Sequence, residues 1–124
     1  MTTSSKTGIL IRGVKVVALP VIDAARADRF YGEVLGLPIA AEDGEPCGYL
    51  LGETILLLKP DWYAPPSAEP SPRITLLVDD ARGTERSLLE RGVAIADEVA
   101  SDGHGYVASF LDSEGNKLWF CSYA

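Results

Sequence analysis

Residues 18–29 read ALPVIDAARADR, and residues 75–86 read TLLVDDARGTER. At an offset of 57 residues, Leu19, Val21, Asp23, Ala24 and Arg29 meet Leu76, Val78, Asp80, Ala81 and Arg86. Glu33 meets Glu90 at the same spacing. One residue then drops out, and at an offset of 56 Gly36 meets Gly92, Ile39 meets Ile95 and Ala40 meets Ala96. A strand–helix–strand unit written twice predicts two modules related by pseudo-symmetry, with a cavity where they meet.

Working outward from the repeat, 14–22 is rich in branched residues and reads as a strand. Asp23 is placed to cap a helix over 24–35, with Ala27, Phe30 or Tyr31, and Val34 on one face. Gly36 suits the left-handed residue that ends it. A strand over 37–41, a turn at 43–46 and a hairpin of 48–51 with 54–59 complete the first module. The second module repeats the plan: strand 73–78, helix 81–91 capped by Asp80, strand 93–100, and a hairpin of 106–111 with 117–122. The spacing therefore predicts an α+β fold of two tandem βαβββ modules. Their strands form a curved mixed sheet, or cup, with the helices outside. We expect one domain over 1–124, with modules at about 9–59 and 73–124. Five of the eight prolines fall in 60–72, the expected connector.

Bulk properties narrow the function classes. The chain has 124 residues, enough for one domain with a real core. Its net charge of −7, with no basic run, argues against nucleic acid or an anionic membrane as partner. No apolar stretch is long enough to span a bilayer, so a soluble cytoplasmic protein is expected. Cys47 and Cys121 belong to no CxxC; they fit two free thiols in a reducing compartment, or a single bridge.

The motifs Val21-Ile22-Asp23, Arg29-Phe30-Tyr31, Leu35-Gly36-Leu37, Val78-Asp79-Asp80, Arg91-Gly92-Val93 and Phe110 to Asn116 fall in this order over 14–122. In that order the chain resembles the vicinal oxygen chelate superfamily of glyoxalases, extradiol dioxygenases and bleomycin-resistance proteins. The resemblance implies a cup that commonly holds a divalent metal on His and Glu side chains. Carried over one at a time, those positions fall here on Val16, Leu56, Arg73 and Trp119. None supplies the imidazole, thiolate or carboxylate that such ions need, so no metal and no other cofactor is expected.

What remains is a binding cup. Strand alternation puts Val16, Ala18 and Pro20 on one face, and Arg73, Thr75 and Leu77 on the matching face of the other module. Trp119 and Cys121 share it. Arg73 and Trp119 suit a planar or anionic molecule, the ring stacking and the guanidinium pairing with carboxylate or phosphate. The bland alternative is that Trp119 plugs the hollow and Arg73 reaches its rim. Tyr49 and Tyr106 are expected to line it with their hydroxyls inward, and Trp62 and Tyr63 to close over it or to meet a partner. His104, the only histidine, is either an acid–base residue or simply solvated. Asp112 to Asn116 reads as a hairpin turn, with Gly115 and Asn116 supplying positive φ. The expected function is metal-independent binding of a small organic molecule by a homodimer. The alternative is an enzyme of the same superfamily, metal-independent with His104 as acid or base, or with its metal ligands relocated.

Overall fold

Branched and aromatic residues at alternating positions set the strands, and glycines in left-handed conformations end the helical segments. The computed structural model describes residues 10, 12–61, 64–70, 73–101, 103 and 105–123. The first module comprises β1 (Val16–Pro20), α1 (Ala24–Arg29), β2 (Ile39–Glu42), β3 (Glu45–Leu51) and β4 (Thr54–Lys59). The second comprises β5 (Thr75–Leu77), α2 (Ala81–Glu90), β6 (Ala94–Ser101), β7 (Gly105–Leu111) and β8 (Lys117–Tyr123). Each module builds one four-stranded mixed sheet, ordered β1-β4-β3-β2 and β5-β8-β7-β6. In each, the first strand lies parallel to the last, and the other pairs are antiparallel. The expected α+β fold with two βαβββ modules is therefore present.

The helical segments differ in detail from the sequence reading. Asp23 caps α1 as expected, its Oδ1 accepting from Arg26 N at 3.0 Å. After Arg29 the backbone widens into a π-type turn over Phe30–Val34, where Leu35 N bonds Phe30 O at 2.9 Å. The wider turn brings consecutive residues toward one side, so Phe30 and Tyr31 are both buried where the α-helical pattern allowed one. Asp80 makes no side-chain cap to α2. Ser122 Oγ accepts the Ala81 N–H instead, at 3.0 Å from the neighbouring strand. The first turn between strands tightens to Asp43-Gly44, with φ 52° and 81°, and so releases Glu45 and Pro46 into β3.

One apolar cluster on the helix side draws on both sheets, including Leu19, Tyr31 and Leu56 from the first module and Phe110, Leu118 and Phe120 from the second. Phe30 stacks on Phe110 with ring centroids 6.4 Å apart, joining the modules through α1. The turn after β7 reaches back across the same junction. Glu114 Oε1 accepts from Ile22 N and Asp23 N, both at 2.9 Å, and Arg26 pairs with both carboxylate oxygens. Tyr31 donates its hydroxyl to Asp112 Oδ2 at 2.7 Å, and Asn116 Nδ2 donates to Pro20 O at 2.8 Å. Among the described residues, no helix is long and apolar enough to cross a membrane.

Candidate functional site

Among the described residues, β1 and β5 are both edge strands, each bonded to one neighbour only. A cleft of about 980 Å³ runs along both edges. Its lining includes four consecutive residues of β1, Val16 to Leu19, and six consecutive residues around β5, Arg73 to Val78. Side chains of a strand alternate between faces. A hollow that touches every residue in turn therefore follows the strand edges, not one sheet face. Val14, Leu50 and Leu51 add apolar wall, Thr54 a hydroxyl, and Pro70 of the connecting segment closes one side. Among the described residues, Arg73 is the only charged one lining it.

The register decides which expected residues share this region. Thr75 pairs with Trp119 and Leu77 with Cys121, which puts all four on the face away from α2. The Arg73 guanidinium lies over the Trp119 indole, 3.6 Å from the ring centroid, with Lys117 Nζ at 4.5 Å. Two cations thus engage the ring expected to stack a ligand, and Trp119 itself does not line the cleft. Its contact with Arg73 is worth about 0.5–2 kcal/mol and steadies the guanidinium at the cleft wall. Lys117 is drawn to Asp97, whose carboxyl is held below its ordinary range by the Lys117 hydrogen bond and then by Ser109. Arg73 has no carboxylate ion-pair partner among the described residues.

Three expected residues lie elsewhere. Leu56 is fully buried in the helix-side cluster. It pairs with Val17, so it faces opposite to Val16. Tyr49 pairs with Leu56 and shares that side; its hydroxyl donates to Asp28 Oδ1 at 2.9 Å, and burial, then Asp28, raises its pKa. Tyr106 packs against the same cluster beneath Arg82, whose guanidinium sits 4.8 Å from its ring. Neither hydroxyl enters the cleft. Trp62, Tyr63 and His104 lie outside the described residues. Asn116 does not adopt positive φ, whereas Gly115 does at 89°. The structure also adds Lys117, which the sequence reading passed over. It lies two residues before Trp119 on one strand, so the period-two rule alone could have placed it beside that ring.

The donor set does not suit the metal implied by the resemblance. Ala18 pairs with Leu57 as Thr75 pairs with Trp119, so Leu57 takes the place expected for Leu56. Val16, Leu57, Arg73 and Trp119 offer no imidazole, thiolate or carboxylate. Among the described residues, no three His, Cys, Asp or Glu side chains gather into a group that could hold an ion. Cys47 and Cys121 are separate free thiols.

Solved structures share this architecture. TnmS3, an antibiotic binding protein from Streptomyces sp. CB03234, is 26% identical with a TM-score of 0.75, over 94% of this chain and 100% of that one. A glyoxalase/bleomycin resistance protein from the same organism is 28% identical with a TM-score of 0.65, over 88% and 99%. A glyoxalase family protein from Bacillus anthracis, at 16% identity, shares the fold with a TM-score of 0.78 over 95% and 100%. No curated protein matches the chain. The family model for the Glyoxalase/Bleomycin resistance protein/Dioxygenase superfamily matches residues 13–120, and with the repeat and the two mixed sheets it shows that the chain belongs to this superfamily.

Proposed function

We propose that this protein binds a small, largely apolar organic molecule with an anionic group, in the cleft between β1 and β5 and without a metal ion. The observation that carries the reading is an apolar hollow of about 980 Å³ in which Arg73, the one charged lining residue among the described residues, makes no direct ion pair there and feels only the longer-range charge of Asp97. Drug-sized ligands occupy pockets of roughly 300–1,000 Å³. The absence of donors at Val16, Leu57, Arg73 and Trp119 supports binding without a cation. The likeness to an antibiotic binding protein supports a resistance or sequestration role. The exposed apolar side chains of Ile22 and Ile39 support a homodimer, and the two free thiols support a cytoplasmic setting.

Calorimetry with naphthalene carboxylate and its uncharged methyl ester tests the reading. The acid should bind more tightly than the ester. Arg73→Ala should weaken the acid by ~10–100-fold, the size of a charge-assisted hydrogen bond, and leave the ester unchanged. Equal losses for both compounds, or binding that vanishes with a chelator, would refute it.

A further inference from the structure

The backbone of the cleft carries information that its side chains do not. In a parallel pair, one residue directs both its N–H and its C=O to the neighbour, and the next directs both away. Ile55 N bonds Lys15 O at 2.8 Å and Val21 N bonds Lys59 O at 3.2 Å. The odd residues of β1 therefore face β4, and Val16 and Ala18 turn their N–H and C=O groups outward. On β5, Trp119 N bonds Ile74 O at 3.0 Å and Val78 N bonds Cys121 O at 2.9 Å. There the even residues face β8, and Thr75 and Leu77 turn outward. All four outward residues line the one cleft. β1 and β5 are not hydrogen-bonded to each other; they belong to separate sheets.

We propose that the ligand is an extended molecule bearing secondary amides and ending in a carboxylate, which lies between β1 and β5 as an added strand. This rests on the cleft being the binding site and names the chemical class it takes. Alternate amides of such a chain point left and right, so they meet Val16 and Ala18 on one side and Thr75 and Leu77 on the other. The terminal carboxylate meets Arg73, two residues before β5. Apolar side chains of the ligand meet Val14, Leu50 and Leu76. The volume suits a short peptide-like molecule and is too small for a folded partner.

The probe is N-acetyl-Val-Ala-Val as free acid, compared with the same peptide N-methylated on alternate amides and with naphthalene carboxylate. Amide hydrogen exchange by NMR is the readout. The peptide should slow exchange at Val16, Ala18, Thr75 and Leu77 by at least ~10-fold, with Val17 and Leu76, already in ladders, little changed. N-methylation should weaken binding by at least ~10-fold. Ala18→Pro removes an outward N–H without touching a β1–β4 bond, a substitution that edge strands tolerate. It should lower peptide affinity by at least ~10-fold more than it lowers that of naphthalene carboxylate. If naphthalene carboxylate binds and the peptide does not, this proposal fails and the site stands. If neither binds, both fail. Protection of the four amides that depends on protein concentration, without peptide, would assign the edges to a second copy and overturn the proposal.

Discussion

The Glu114 side chain is fully enclosed, and it accepts from Ile22 N, Asp23 N, the Arg26 guanidinium and Ser113 Oγ. Charge and donors together hold its pKa down at about 2, from an ordinary 4.5, with the Arg26 hydrogen bond the largest cause. A depressed carboxylate stabilises the fold fully above its ordinary pKa and loses that contribution as pH falls toward the folded value. Allowing for the half-exposed Arg26, the contribution is about 2–3 kcal/mol. Glu114→Gln should therefore lower the urea-unfolding free energy by about that much at neutral pH, and flatten its decline between about pH 4.5 and 2. The sequence read this stretch as a hairpin turn, correctly for Gly115. Its larger role was not legible, because its partners at Ile22, Asp23 and Arg26 lie about ninety residues earlier and no local pattern announces them.

Among the elements, the repeat told most about order and least about phase. Val16 and Trp119 turn away from the helix side in the register of their strands, because strand alternation needs only one anchor. Leu56 faces the other way, its expected place having come from aligning Gly52 with Gly115. The first hairpin turns in two residues, with Leu51 paired to Thr54, whereas the second spends five between Leu111 and Lys117. Unequal turns shift the alignment by one position, and one position reverses every side chain. Tyr106 had no anchor at all, and its pairing with Ser122 sends it to the helix side. The cap of α2 was hidden for a related reason: Asp80 has the right chemistry, but Ser122 from β8 takes the N–H. Ser122→Ala should cost about 1 kcal/mol in thermal or urea unfolding, and Asp80→Ala should cost less.

Across the whole molecule, the two modules share one apolar cluster and one polar junction. Asn116 is the central tie: its Oδ1 accepts from Ser67 N at 3.0 Å, and its amide donates to Pro20 O and Asp112 Oδ2. The modules should therefore unfold together, with near- and far-ultraviolet dichroism falling in one transition. Asn116→Ala should shift that transition downward by about 2–3 kcal/mol, and two separated steps would show that the halves are independent. This coupling was not legible in the sequence, which named the modules but left open whether they met within one chain.

The outward-turned edges of β1 and β5 also bear on colloidal behaviour. Unpaired strand borders invite sheet extension between molecules. Pro20 blunts one of them, since it has no N–H to offer, and the charge of −7 keeps neighbouring molecules apart. Acid weakens this repulsion as the carboxylates take up protons, while leaving those borders unchanged. Acidification toward the isoelectric point, near 4.6, therefore favours clumping along these strands, and any compound seated between them guards against it.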